Sequence, residues 1–437
     1  MRSRPFPVAG VSWSFSCCGQ VSVDWGKTMH RREFLAALPW TSVWPYASSL
    51  TTSGLPMGTG RLLQQAAAAS PRLRITEMEL IPVRATGRTT WLNLRLTTNQ
   101  GLTGLGEASL GRRTELPDLA GCFALVRGES PFRIEQYRQR GWARASAGDR
   151  VQATAFSAIE QALWDLVGKA LGASVSDLFG GRLRDRLGVY ANINRATSDR
   201  TPEGFAVNAA AAAEEGFSSV KAAPFDGFPA LTQPAAEVQA AADLGVACVA
   251  AMREAGGDEL AIKIDAHSFF DVPLSIEIAR RLEPYALSWY EEPIPPTRVA
   301  DTRAIKEAIS QTMAGGEFLF GMEGFALLCQ QQAVDIVMPD VKHCGGLIEA
   351  RRIAALADLH GVLVSPHNPS GPVSTAVSVQ LCAAMGNFDL LEYQWGEVAW
   401  RGELVDPPER FVDGTIAVAD GPGFGIELND ALAREHA

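Results

Sequence analysis

From about residue 187 onward, short runs of apolar and β-branched residues alternate with stretches whose apolar positions recur every three or four residues. The short runs span 188–192, 219–223, 260–266, 287–292, 313–317, 335–340, 362–367 and 389–393. Helical patterns such as 275–282, 301–309 and 347–359 lie between them. Eight strand-like runs in strict alternation with helices predict a closed parallel barrel of the (β/α)8 type, because each strand is then buried on both faces. An open doubly wound sheet is the alternative. No glycine-rich phosphate turn supports it, since Gly101-Leu102-Thr103-Gly104-Leu105-Gly106 joins two strands instead of opening a helix.

Ahead of the barrel the rhythm differs. Residues 73–85 and 91–98 alternate as strands, Asn99-Gln100-Gly101 is a turn signal, and 102–107 continues as a third strand. Phe156, Ile159, Leu163, Leu166, Val167 and Leu171 then form one apolar helical stripe, ended near Gly180-Gly181. These elements predict an N-terminal α+β cap over 71–185, a barrel over 186–400 and a C-terminal segment, 401–437, that returns to the cap.

The first seventy residues read as an address and not as part of the fold. Arg31-Arg32 precedes an apolar stretch reaching about Tyr46, a pattern similar to a bacterial twin-arginine export signal. Met29 stands just before the pair and is the expected true start; Ala67-Ala68-Ala69 before Ser70 offers a small-residue cleavage point. The expected location is therefore periplasmic or exported, with a cytoplasmic protein carrying a chance arginine pair as the alternative.

Composition narrows the picture. Of 437 residues, 47% are apolar, enough for a large core. The net charge of −10, without any Lys/Arg block, argues against nucleic acid or an anionic membrane as partner. No apolar run of about 18 residues is free of Pro, Gly or charge, so no membrane span is expected. Seven cysteines without a CxxC pair read as buried thiols instead of a disulfide framework or a zinc site.

Seven of the runs finish on a chemically capable side chain: Lys221, Asp265, Glu291, Glu317, Asp340, His367 and Glu392. The last six are 26, 26, 23, 27 and 25 residues apart, about one strand–helix unit each. Each strand thus delivers one group to the C-terminal mouth of the barrel, where such barrels carry their chemistry. Asp265, Glu291 and Glu317 come from consecutive strands. Three carboxylates aimed at one point repel unless a cation neutralises them, and an all-oxygen set favours Mg²⁺ over Zn²⁺. Glu292 competes with Glu291, but alternation along a strand lets only one face the axis. Asp340 and His367, on neighbouring strands, form a pair in which the aspartate fixes the imidazole tautomer and raises the basicity of the other nitrogen. His343, His360 and His436 read as satisfied structural histidines. His267, two residues past Asp265, falls on the same strand face and is the candidate general acid.

Here the residues carry a resemblance. The chain resembles the enolase superfamily in its mandelate racemase and muconate lactonizing branch over about residues 73–430. The carriers are Leu96 to Glu107, Ala162-Leu163-Trp164-Asp165, Tyr290-Glu291-Glu292-Pro293, Gly315-Gly316-Glu317, Met338-Pro339-Asp340-Val341 and Asp420-Gly421-Pro422-Gly423-Phe424-Gly425. The resemblance implies Asp265, Glu291 and Glu317 as metal ligands, Asp340 with His367 as the acid–base dyad, and Glu392 as a group bonding the developing enolate as a protonated donor. Lys221 matches the lysine that neutralises the substrate carboxylate. Asp265-Ala266-His267 and His367-Asn368-Pro369 look like the galactonate and mannonate dehydratases, in which the histidine after the aspartate protonates the departing hydroxyl. The second lysine of the racemase Lys-x-Lys is replaced by Ala223, which argues against two-base racemisation.

The resemblance therefore implies an Mg²⁺-dependent lyase converting a sugar acid to a 2-keto-3-deoxy acid. The expected partners are a small anionic sugar acid and further copies of the chain. Two alternatives stay open: a racemase or epimerase of a 2-hydroxy acid on the same fold, and a non-catalytic exported sugar-acid binding protein. Substrate choice is expected from the cap loops 84–90 and 109–114, the latter carrying Arg112 and Arg113, and from barrel loops after Asn192 and Ala223.

Overall fold

The computed structural model describes residues 72–437 and, within the first seventy residues, the backbone of one antiparallel pair, β1 (Val11–Phe15) and β2 (Val21–Trp25). The twin-arginine pair and the candidate cleavage point lie outside the described residues.

The cap begins with an antiparallel three-stranded sheet, β3 (Ile75–Arg84), β4 (Thr90–Thr98) and β5 (Thr103–Glu107), in the order β3-β4-β5. Against it packs the long helix Arg150–Leu171. Asp149 caps its start, accepting from Val151 N and Gln152 N, while the Gln152 side chain returns a bond to Asp149 N; Gly172 in the left-handed conformation ends it. Gly104 and Gly106 explain the glycine-rich phrase of the sequence. A Cβ on either would run into the backbone carbonyls of Ala162 and Ala158, so the two glycines let strand and helix approach.

The barrel strands are β6 (Arg186–Asn192), β7 (Ser219–Ala222), β8 (Ala261–Asp265), β9 (Trp289–Glu291), β10 (Met313–Gly315), β11 (Ile336–Val337), β12 (Leu363–Val364) and β13 (Leu391–Gln394). Each pairs in parallel with the next through β12, and β13 pairs in parallel with β6. The bridge Val364↔Phe388 closes the cycle. Several strands are shorter than their apolar runs. β11 and β12 are two residues each, and Glu317, Asp340 and His367 lie just beyond their strand ends.

Covering helices satisfy the outer strand faces. One of them, Ala235–Gly256, packs beside Pro202–Glu214 and buries Ala242, Gly245, Cys248, Val249 and Met252. By length and composition it could also cross a membrane. Inside the barrel, Tyr190 and Trp289 meet edge to face at 5.2 Å, and the buried Lys263 ammonium lies 4.7 Å from the Trp289 ring. This layer forms the floor beneath the mouth.

Two buried cap glutamates dock the cap onto the barrel. Glu107, ending β5, accepts from Gly371 N and Ser374 N, both at 2.8 Å, at the start of helix Pro372–Ala383. Glu160 accepts from Leu347 N (2.7 Å) and Ile348 N (3.1 Å) at the start of helix Leu347–Leu359. Each carboxylate meets orphan N–H groups at the positive end of a helix. The C-terminal segment is stitched to both parts. The strand Thr415–Ala417 pairs with β6, while Asp165 accepts from Leu105 N and Phe424 N at 2.9 and 2.8 Å. Arg95 pairs with Asp430 of the last helix.

Candidate active site

The mouth of the barrel holds a cavity of about 300 Å³, closed on one side by cap residues Thr89, Ser109 and Leu110. Asp265, Glu291 and Glu317, from β8, β9 and just past β10, converge there. Each offers a carboxylate oxygen within 4.8 Å of those of the other two, and all three residues are buried. Burial, with the repulsion of Asp265 added, holds Glu291 and Glu317 well above the usual carboxylate range. Burial pushes Asp265 the same way, but the charge and hydrogen bonds of His267, with Lys221, outweigh it and hold Asp265 low.

Glu292 does not belong to the triad. Its backbone turns at φ 37°, and Oε1 accepts from Gly316 N (2.6 Å) and Glu317 N (3.3 Å), fixing the loop that presents Glu317. Burial raises it to about 7. Glu317 Oε2 is buried without a hydrogen bond, and His367 Nε2 lies 3.1 Å away. A cluster of buried carboxyls with an unserved oxygen is the donor set of a hard divalent cation such as Mg²⁺, so the residues fit the ion expected there.

Lys221 reaches the cavity from β7. Its ammonium lies 3.0 Å from Glu291 Oε1, 2.9 Å from Glu392 Oε1 and 3.8 Å from Asp265 Oδ2. Burial works against its charge, but Glu291 and Glu392 hold it protonated, well above the usual range.

Glu392 requires a correction. Expected as a protonated donor, it has only donors around it: Lys221, Asn192 Nδ2 at 2.6 Å and Asn368 N at 2.8 Å. Although burial raises it, Lys221 and His367 bring it below its ordinary value. It is a carboxylate accepting bonds behind Lys221 and, like Glu291, it does not itself line the cavity.

His367 Nδ1 lies 2.8 Å from Asp340 Oδ2. Burial lowers the imidazole below its ordinary value despite that partner, so it is neutral near pH 7. Asp340 is buried, which raises it, but Lys342, His343 and His367 together drive it far down. Lys342, which the sequence reading missed, donates to Asp340 Oδ2 at 2.8 Å and also bonds Ser370. His343 lines the cavity while bonding Thr154 at 2.9 Å; burial lowers it to about 3, a satisfied neutral ring.

His267 reaches the site by a different route from the one expected. β8 ends at Asp265, and His267 and Ser268 follow in a turn with φ 44° and 61°. The ring folds back so that Nε2 lies 3.1 Å from Asp265 Oδ2 and Nδ1 lies 2.5 Å from Asp226 Oδ1. Partial burial lowers it, but the two aspartates outweigh that and raise it to about 12. Asp226, on the loop after β7, was also missed; Asn194 Nδ2 at 2.9 Å and Arg200 at 3.4 Å hold it.

Arg112 and Arg113 are exposed and do not line the cavity, a second correction. Its guanidinium groups come from Arg150, stacked 4.0 Å over Phe318, and from Arg195.

Comparison with known proteins agrees with this geometry. Residues 204–432 match the enolase C-terminal domain-like family, and residues 72–180 match the mandelate racemase / muconate lactonizing enzyme N-terminal domain. The chain is 34% identical over 355 residues to the D-gluconate dehydratase of Thermoproteus tenax, covering 78% of this chain and 69% of that protein. It is 31% identical over 384 residues to the D-xylonate dehydratase of Haloferax volcanii, covering 84% and 91%. The crystal structure of a mandelate racemase/muconate lactonizing enzyme from Jannaschia sp. CCS1 superposes with a TM-score of 0.74 at 31% identity, covering 83% of this chain and 97% of that one.

Proposed function

Because the chain belongs to the enolase superfamily, in its mandelate racemase / muconate lactonizing enzyme branch, we propose that it is a sugar-acid dehydratase. It removes water from a 2,3-dihydroxy carboxylate to give a 2-keto-3-deoxy acid. The observation that carries the reading is one cavity lined by Asp265 and Glu317 of a buried carboxylate triad, by a neutral imidazole on an aspartate, and by a second imidazole kept charged by two aspartates.

Asp265, Glu291 and Glu317 would hold Mg²⁺, which when bound supplies a positive charge beside the substrate carboxylate and so acidifies the neighbouring C–H. Lys221 adds a fixed positive charge at the same carboxylate. His367, with Asp340 holding the proton on Nδ1, presents the Nε2 lone pair and takes the C2 proton. The electron pair left on C2 moves into the carboxylate to give an enediolate. As it returns, the C3–O bond breaks and His267 gives its proton to the leaving hydroxyl. The resulting enol tautomerises to the keto acid. Protonation state supports this division: the neutral ring is the base and the charged ring the acid. Export through the twin-arginine leader is part of the proposal and rests on Arg31-Arg32 and the apolar run after them.

The test is a library of sugar acids incubated with the protein and Mg²⁺ and assayed for 2-keto acids. The reading expects turnover of at least one; products inverted at C2 with no keto acid would instead make the enzyme an epimerase.

A further inference from the structure

Resting on that reading, we infer that Arg195, held in place by Glu397, is the residue that recognises the hydroxyl tail of the sugar acid, remote from the reacting carboxylate. In the barrel cycle β6 stands two, three and four strands from β8, β9 and β10, so the loop after β6 lies across the mouth from Glu317 of the triad. Arg195 follows Asn192, which is bonded to Glu392 on the floor side, by three positions. Asn192 stands in register with Lys221, and from there Asn192, Asn194 and Arg195 line the cavity wall.

Glu397, on the loop after β13, sets the arginine. Its Oε1 accepts from Arg195 Nη1 at 3.3 Å and from Thr89 Oγ1 of the cap at 2.9 Å. One carboxylate thereby joins two barrel loops and a cap loop. Its side chain is 1% exposed, whereas that of Arg195 is 35% exposed and lines the cavity. Arg195 Nε and Nη2 have no hydrogen bond among the described residues, leaving donors free for a ligand. Glu397 Oε2 is buried with no hydrogen bond. A buried carboxylate with one oxygen unserved is costly as mere packing and is explained if its charge is kept for the arginine.

The pairing also fixes the kind of ligand. Glu397 cancels the charge of Arg195 but leaves its donors, and Thr89, Asn192 and Asn194, which line the same wall, carry no charge. Such a wall suits hydroxyls better than a second anionic group.

The experiment measures binding by titration calorimetry in the full-length His367→Asn protein with Mg²⁺, comparing D-glycerate, six-carbon aldonates and six-carbon diacids. Arg195→Met should weaken the aldonates about 10- to 100-fold, the range for lost hydrogen bonds to a charged group, and leave glycerate within about twofold. Glu397→Leu should reproduce that pattern, and the double variant should be no worse than Arg195→Met, because Glu397 acts through the arginine. Where Glu397→Leu impairs folding, Glu397→Gln carries the test. It keeps the acceptor, so it should lose less than Arg195→Met, again for the aldonates alone. Equal effects on short and long acids, no effect of Arg195→Met, or tighter binding of diacids would overturn the inference while the dehydratase reading stands. Failure to bind any aldonate would overturn both.

Discussion

The two imidazoles at the mouth sit in opposite surroundings. His367 is enclosed on the β11–β12 side, with one aspartate on Nδ1, the Glu317 carboxyl, itself raised well above its ordinary value, 3.1 Å from Nε2, and the Phe318 ring centroid 5.8 Å from its own. His267 stands on the β7–β8 side, one third exposed, with an aspartate on each nitrogen. In the first, desolvation wins and the ring is neutral. In the second, two negative charges win and the ring stays protonated to about pH 12. Both groups are a histidine beside an aspartate, so the roles of base and acid are set by the count of charges and the degree of burial, which no motif records.

The strongest way to break the comparison is to remove the buried ring. His367→Asn should lower kcat by about 10³- to 10⁴-fold, the upper range for a general base, while Mn²⁺ binding followed by electron paramagnetic resonance stays at one ion per chain. Retained turnover would take His367 out of the base role. Next, Asp340→Asn should lower kcat about 10- to 100-fold by releasing the tautomer, with no change in metal stoichiometry.

Asp226→Asn sharpens the other side. It removes one of the two charges that raise His267, so the folded pKa of that ring falls. Activity that depends on the protonated ring should then decline at a lower pH than in the parent enzyme, and the pH–rate profile should show its alkaline limb displaced toward neutrality. An unmoved limb would mean that Asp226 does not tune the acid. The smallest effect concerns the triad. Burial and Asp265 raise Glu291 and Glu317, so in the metal-free protein these carboxyls retain protons in acid that a divalent cation must displace. The rise in melting temperature on adding Mg²⁺ should therefore be larger at pH 8 than at pH 5; the reverse order would argue against the triad as ligands.

Much of this arrangement was readable from the chain. The eight apolar runs fall on the eight barrel strands because each must be buried on both faces, and buried strands leave a period that survives any loop variation. The spacing that singled out Asp265, Glu291, Glu317, Asp340 and His367 is the length of a strand–helix unit, a property of the fold itself. What escaped notice lies in loops. Asp226, Arg195, Lys342 and Glu397 follow strand ends by several residues, where no periodicity tells which way a side chain turns. His267 was selected on the assumption that β8 continues past Asp265. The strand stops there, and a pair of positive-φ residues brings the ring back to the same place. Glu392 was expected as a protonated donor from the resemblance, which says nothing of the lysine and two amide donors that meet it here and bring it below its ordinary value.

The division of labour between the two rings can be read directly in deuterium oxide. His267→Asn and His367→Asn are each incubated with Mg²⁺ and a sugar acid that the parent enzyme dehydrates, and deuterium at C2 of recovered substrate is measured by NMR. The account predicts exchange without keto-acid formation for His267→Asn and neither exchange nor product for His367→Asn. Exchange in His367→Asn, or its loss only in His267→Asn, would contradict the assignment of base and acid.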